Sequence, residues 1–278
     1  MRVGLMAGPT TSASPEDLEL LELARTVARE AGALAVRMRA EGVSVADTKS
    51  SPTDVVTQAD RAAEELLRER LLAARPDDAI LGEEGDDVAG SSGVRWVLDP
   101  VDGTVNFLYG LPHWAVSVAA ARDDEVVAGV VVAPALGREY DAVRGGGARL
   151  DGRELRVRDS GADPGRWLVG TGFSYRPDVR RRQGRAVAEL LTRVRDVRRD
   201  GSCALDLCAV ASGSLDAYVE EGPHWWDHAA GGLVAREAGA RLEVVPGVDL
   251  DLVTCAPRAT FDGFAQVVEA CGFAGPRV

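Results

Sequence analysis

Val94-Arg95-Trp96-Val97-Leu98-Asp99-Pro100-Val101-Asp102-Gly103-Thr104 is the stretch from which the rest of the chain can be read. Val94 to Leu98 has the length and residue types of a short buried strand. Pro100 has no N–H to give to a ladder, so the strand is expected to stop at Leu98 and the chain to bend between two aspartates. Two carboxylates brought together repel one another unless a cation lies between them. The bend also frees the Val101 carbonyl, and hard divalent ions such as Mg²⁺ prefer oxygen ligands. Gly103 and Thr104 then open a helix, where backbone N–H groups lack intrahelical acceptors and face an anion. Metal ligands and a phosphate cradle would thus fall within the six residues Asp99 to Thr104. Taken alone, however, the two aspartates are also what an ordinary turn and helix cap would use.

Working outward, two more acidic patches stand where a strand or loop hands over to a helix: Gly82-Glu83-Glu84-Gly85 and Trp226-Asp227-His228-Ala229-Ala230-Gly231. Glu83 alone reads as a solvated loop acid and Asp227 as a helix cap. Ahead of them, Ser14-Pro15-Glu16-Asp17 is a helix start, with a cap, a proline in the first turn and acids that complement the dipole. Helical spacing runs from Leu20 towards Gly42, and a second helix is predicted over Thr57–Ala73. Lys49 to Thr53 reads as a loop. His113–Ala121 and Val126–Ala133 read as paired strands about the polar turn Arg122 to Glu125, with shorter strands at Tyr140–Val143 and Leu155–Val157. Gly145-Gly146-Gly147 lacks a phosphate-loop lysine and reads as a hairpin turn.

Beyond it, strands at Leu168–Gly170, Val197, Ala217–Glu220, Leu242–Val245 and Val253–Ala256 alternate with helices. These helices are predicted over Pro177–Val194, Ser202–Ala211, Trp226–Ala238 and Thr260–Ala270. Such alternation argues a mixed α/β chain of layered sheets and helices.

Acids outnumber bases 44 to 32, a formal charge of −12 that repels nucleic-acid backbones and argues against a polymer partner. A small phosphate ester remains compatible if metal ions reverse the local field. No stretch approaches the length of a membrane span, and Met1 to Ser14 reads as a flexible tail rather than a signal peptide. Cys203, Cys208, Cys255 and Cys271 form no CxxC pair and read as reduced, buried thiols of a cytoplasmic protein. His113, His224 and His228 show no zinc-ligand spacing, and His228 should point away from its neighbour Asp227 on a helix. The basic run Arg180-Arg181-Arg182 reads as a solvated helix face, with contact to a second substrate phosphate as the functional alternative.

The motifs together resemble the inositol monophosphatase family of Mg²⁺-dependent, lithium-sensitive phosphatases. The matching segments are Asp54 to Asp60, Gly82-Glu83-Glu84, Trp96 to Phe107, Gly201 to Asp206, Asp216 to Glu220 and Trp226 to Gly231, in the family's order. The resemblance implies an α/β fold, a layered αβαβα sandwich of the inositol monophosphatase/fructose-1,6-bisphosphatase type. It would form one domain over 15–278 with halves of about 15–149 and 150–278. It implies two or three Mg²⁺ ions per subunit: Glu83, Asp99 and the Val101 carbonyl on the first, Asp99, Asp102 and Asp227 on the second, and Glu83 near a weaker third. Thr104, supported by Asp60, would orient the attacking water. The N–H groups of Gly103 and Thr104 would hold phosphate, Gly201, Ser202 and Cys203 would border the alcohol, and Glu220 would contact a substrate hydroxyl.

A cytoplasmic homodimer hydrolysing inositol monophosphate is the implied activity. Histidinol-phosphate phosphatase comes next, then fructose-1,6-bisphosphatase and nucleotide 3′-phosphatase. From another class, a catalytically silent binding protein on the same scaffold is disfavoured by the complete acidic set. Trp225, Cys203 and His228 depart from residues frequent in the family and put the substrate, not the metal site, in question.

Overall fold

A computed structural model describes residues 13–42, 45–48 and 55–273. Within them lie α1 (Pro15–Glu41), β1 (Val45–Thr48), β2 (Val55–Thr57), α2 (Gln58–Ala74), β3 (Ala79–Gly82), β4 (Val94–Asp102), α3 (Thr104–Leu108), β5 (Ala115–Arg122) and β6 (Glu125–Ala133). There follow β7 (Arg138–Val143), β8 (Gly147–Leu150), β9 (Arg153–Glu154), β10 (Leu168–Thr171), α4 (Pro177–Leu191), β11 (Asp196–Arg198) and α5 (Cys203–Ala211). The chain closes with β12 (Ala217–Glu221), α6 (Trp225–Glu237), β13 (Ala240–Pro246), β14 (Asp251–Pro257) and α7 (Phe261–Ala270). The expected tail, up to residue 12, and the expected loop Lys49 to Thr53 lie outside the described residues.

Local chemistry sets the helix starts. Ser14 Oγ accepts the Asp17 N–H at 3.0 Å and Pro15 occupies the first turn of α1. Thr57 caps α2, and Asp60 reaches back to the Thr57 N–H at 3.0 Å, closing a capping box. The turn between β5 and β6 places Asp123 and Asp124 at positive φ, 50° and 60°, the geometry a two-residue hairpin demands.

Two sheets carry the fold. The first runs β3-β4-β5-β6-β7-β8-β9, with β3 parallel to β4 and every later pair antiparallel. The second runs β11-β10-β12-β14-β13, parallel over its first three strands and antiparallel thereafter. Helices α1 and α2 cover one face of the first sheet through Leu20, Leu21, Ala24, Val27, Leu67 and Leu71, all buried against Trp96, Val118 and Val130. Helices α5 and α6 lie between the sheets, and α4 and α7 close the far face of the second. The layers therefore read αβαβα, as the family resemblance implied. The central layer is tight: a Cβ on Gly231 of α6 would lie 2.8 Å from the Ala204 carbonyl of α5, so only glycine lets the two helices approach this closely.

Three expectations need correction. β4 does not stop at Leu98 but continues to Asp102. Its register against β5 passes from Asp99↔Ser117 to Asp102↔Ala115, which is one extra residue in β4. Pro100 is accommodated by this bulge instead of ending the strand. Leu155–Val157 is not a strand: β9 ends at Glu154, and the chain turns away so that the Val157 N–H bonds the Ala238 carbonyl at 3.0 Å. The short strands β1, β2, β3 and β8 were missed, because three or four residues give too little alternation to register as a pattern.

Candidate active site

The bulge in β4 decides the geometry. In a regular strand residues three apart point to opposite faces. One inserted residue brings Asp99 and Asp102 back to the same side. β3 ends beside β4 and its pairing extends one step further, the Glu83 N–H bonding the Leu98 carbonyl at 3.2 Å, so Glu83 leaves the sheet next to Asp99. From the layer behind, α6 presents Asp227 in its first turn, where the side chain accepts the His224 N–H at 2.5 Å. Cap and cluster member are thus one residue. The second sheet adds the end of β12 with Glu220, the loop after β11 adds Gly201, and the first residue of α5 adds Cys203. Carboxyl ends of parallel strands from both sheets converge here, the usual place for a site in α/β proteins.

One carboxylate oxygen from each of Asp99, Asp102 and Asp227 lies within 4.8 Å of the others. Glu83 stands beside this triple in the same cavity of about 410 Å³. Burial, then the charges of Glu83, Asp102 and Asp227, raise the Asp99 carboxyl well above its ordinary range. Burial pushes Asp102 up to about 7, although its Oδ2 accepts Ser202 Oγ at 2.5 Å and the Ala204 N–H at 2.7 Å. Asp227 is raised by burial and by Glu83 and Asp102. Such crowding is unfavourable until positive charge enters, and an all-oxygen donor set fits a hard divalent cation. The one thiol lining the cavity, Cys203, is pushed far up by burial and stays neutral, so it offers no soft thiolate ligand.

Thr104 lines the cavity one residue after Gly103. Its Oγ1 lies 3.0 Å from Asp60 Oδ1 and 3.1 Å from the Val101 carbonyl. Asp60 is completely buried and also accepts from the Thr57 hydroxyl and N–H; burial dominates in raising its pKa. Gly103 sits at φ 92°, and a Cβ there would meet the His113 carbonyl at 2.9 Å and that of Gly201 at 3.0 Å. Glycine is therefore required at this turn. Helix α3 has only five residues, so what it presents to an anion is a few N–H groups rather than a summed dipole.

Ser202 is placed differently from the expectation that it borders the alcohol. It is buried behind Asp102, which its hydroxyl serves, and it also caps α5. Gly201 and Cys203 line the cavity itself. Glu220 does too, and its Oε2 accepts the Tyr218 hydroxyl at 2.5 Å. Among the cavity residues that the sequence does not mark are two cations, Arg176 and Arg199. No motif marks them, and only the folded chain brings them to the acids. Arg182, from the basic run, is instead paired with Glu221 and Asp249. His224 lines the cavity stacked on Trp226 at 4.8 Å. His228 faces away, into a second cavity with Trp225 and Arg236, where burial lowers its pKa to about 4. All four cysteines are free and buried. No helix among the described residues is long and apolar enough to cross a membrane.

Comparison with known proteins agrees with this geometry. Residues 16–267 match the model of the inositol monophosphatase family. The chain is 45% identical over 276 residues to the inositol-1-monophosphatase SuhB of Mycobacterium tuberculosis H37Rv, covering 93% of this chain and 92% of that protein. It is 40% identical over 236 residues to the Nus factor SuhB of Pseudomonas aeruginosa, covering 82% and 86%. The solved structure of Mycobacterium tuberculosis SuhB superposes with a TM-score of 0.81 at 40% identity, over 94% of this chain and 100% of that one.

Proposed function

The chain belongs to the inositol monophosphatase family, a group of phosphomonoesterases, and on that premise we propose that it is a Mg²⁺-dependent enzyme hydrolysing inositol monophosphate to myo-inositol and phosphate. The observation that carries the reading is the convergence of Asp99, Asp102 and Asp227, with Glu83 alongside, in one cavity with Thr104. Glu83, Asp99 and the Val101 carbonyl would hold one ion, Asp99, Asp102 and Asp227 a second, and Glu83 would stand near a weaker third. When bound, Mg²⁺ supplies Lewis-acid charge stabilisation and favours deprotonation of water near neutral pH.

The chain's own groups do the rest. Thr104 Oγ1 donates its hydrogen bond to Asp60 Oδ1, so its lone pairs are free to accept a hydrogen bond from the attacking water, orienting it in line with the ester bond. Asp60, buried and held by Thr57, fixes that direction. The N–H groups of Gly103 and Thr104 hold phosphate oxygens. Ser202 and the Ala204 N–H hold Asp102 in place. Gly201 and Cys203 border the alcohol, and Glu220 accepts a ring hydroxyl. Arg199 acts on Glu220 as a neighbouring positive charge. A polyol therefore suits this end better than the ammonium of histidinol phosphate, which would find Glu220 already compensated.

A second reading has specific support. Arg176 and Arg199 both line the cavity, which gives fructose-1,6-bisphosphate a place for its second phosphate. The free, buried cysteines suit a reducing, cytoplasmic compartment, and the family suggests a homodimer, which light scattering would check. The deciding experiment measures phosphate release from inositol 1-phosphate, histidinol phosphate, fructose 1,6-bisphosphate and adenosine 3′,5′-bisphosphate, with Mg²⁺ and with or without Li⁺. The highest kcat/KM on inositol 1-phosphate, lost in EDTA and reduced by Li⁺, is the expected result. A leading rate on another ester would move the substrate assignment, and phosphate release untouched by EDTA would sink the mechanism.

A further inference from the structure

The Gly82–Asp86 segment, which carries Glu83, is gripped from beneath by an ion pair on α2 whose carboxylate is buried and whose guanidinium is half-buried. Glu64 is 2% exposed. Its Oε2 accepts the Glu84 N–H at 2.8 Å, and its Oε1 accepts Arg68 Nε at 2.8 Å. Arg68 in turn donates from NH1 to the Asp86 carbonyl at 2.8 Å. One side of the loop is therefore held by its N–H and the other by its C=O, with the acid Glu83 next to the first hold. The fit is close. A Cβ on Gly82 would lie 2.5 Å from Glu64 Oε1 and 2.8 Å from Arg68 NH2. One on Gly85 would lie 3.0 Å from Glu64 Oε1. The two glycines that bracket Glu83-Glu84 thus let the loop lie directly on the pair.

Stability alone does not account for this arrangement. Burying the Glu64 carboxylate costs desolvation that offsets much of what the pair gains by attraction, and apolar side chains of similar volume would serve packing as well or better. What a fixed carboxylate and a forked guanidinium provide is aim: two backbone groups of one short loop pinned in opposite senses. We propose that Glu64 and Arg68 are positioning residues that hold Glu83 at the acidic cluster, and that they act through the loop backbone without touching substrate. This rests on the reading of Glu83 as part of a divalent-cation site.

The test uses Glu64→Gln and Arg68→Lys in the full chain. In Glu64→Gln one oxygen and one NH₂ replace two acceptors, so either the Glu84 N–H or Arg68 loses its partner. Mg²⁺ binding is followed by calorimetry and by metal-induced thermal shift, beside Tm in EDTA and KM at saturating Mg²⁺. The expected result is a Kd for Mg²⁺ raised about 10-fold or more, the scale typical when supports of metal ligands are removed. KM at saturating Mg²⁺ should stay within about 2-fold, since the pair touches no substrate. An unchanged Mg²⁺ affinity with only a lower Tm in EDTA would overturn the proposal and leave the pair as a structural staple. Should Glu64→Gln not fold, Arg68→Lys gives the same readouts, because Lys keeps the charge but cannot reach both Glu64 and Asp86 in a fixed fork. Wild-type protein that binds no Mg²⁺ would instead refute the underlying site, so the two failures are distinguishable.

Discussion

Neutralising one member of the acidic cluster should stabilise the metal-free protein. Asp227→Asn is the suitable change, because the amide oxygen can still accept the His224 N–H and keep the cap on α6. At 4.8 Å, the outer limit of the oxygen separations in the triple, two unit charges at an effective dielectric of about 20 repel by about 3.5 kcal/mol. Removing the Asp227 charge relieves repulsion with both Asp99 and Asp102. Proton uptake already relieves part of this in the wild type, so the net gain in EDTA at pH 8 should be about 2–4 kcal/mol.

The sign with pH follows from linkage. Carboxyls raised in the folded state bind more protons than the unfolded chain, so wild-type stability falls as pH rises from the unfolded value of 3.8 through the folded values, about 7 for Asp102. The advantage of Asp227→Asn should therefore grow between pH 5 and pH 8. Thermal unfolding in EDTA would show a Tm higher by several degrees, at about 2–4 °C per kcal/mol for a chain of this size. Added Mg²⁺ should raise the wild-type Tm by clearly more than the variant's, because the variant loses one ligand of the second ion. A variant less stable than wild type in EDTA, yet stabilised by Mg²⁺ to the same extent, would refute the cluster as a cation site.

Thr104→Val removes the hydroxyl between Asp60 and the Val101 carbonyl, and should lower kcat by about 10²–10³-fold with a smaller effect on KM, as steady-state phosphate release would show. His228 is held neutral, its pKa lowered to about 4, so it binds fewer protons folded than unfolded between pH 4 and 6.5. Stability linked to it is complete above pH 6.5 and is lost as pH falls towards 4. His228→Leu should thus lose about 2 kcal/mol less than wild type between pH 8 and pH 5 in urea titrations. Gly231→Ala drives a methyl to 2.8 Å from the Ala204 carbonyl, and should cost about 1–3 kcal/mol by overpacking. It should also reduce turnover, since the Ala204 N–H holds Asp102.

Much of the fold could be read before any coordinates, because its signals are local. Ser14-Pro15 starts α1, helical spacing marks α2 from about Thr57, and the polar turn Arg122 to Glu125 joins β5 to β6. The bulge in β4 was not legible: Pro100 says that the ladder is interrupted, but pairing with β5 decides whether the strand ends or absorbs an extra residue. That distinction sets the side to which Asp102 points. The acids of the site stood out because each sits in a short segment with its own glycines and prolines. Their supports did not. Ser202 lies 100 residues from the Asp102 it serves, Glu64 lies 20 residues before the Glu84 N–H it holds, and Arg199 reaches the cavity from a strand end with no motif. Contacts of that kind exist only once the layers have packed.

The central claim is that Asp99 and Asp102 of β4 share a divalent cation with Asp227, which is remote from them in sequence. Crystals soaked in Mn²⁺ and measured at its absorption edge test this most directly, since anomalous difference density locates the ion without reference to activity. The account predicts a strong peak within about 2–2.5 Å of oxygens from Asp99, Asp102 and Asp227, absent from Asp227→Asn crystals soaked in the same way. Density at other sites only, with the three carboxylates bare, would contradict it.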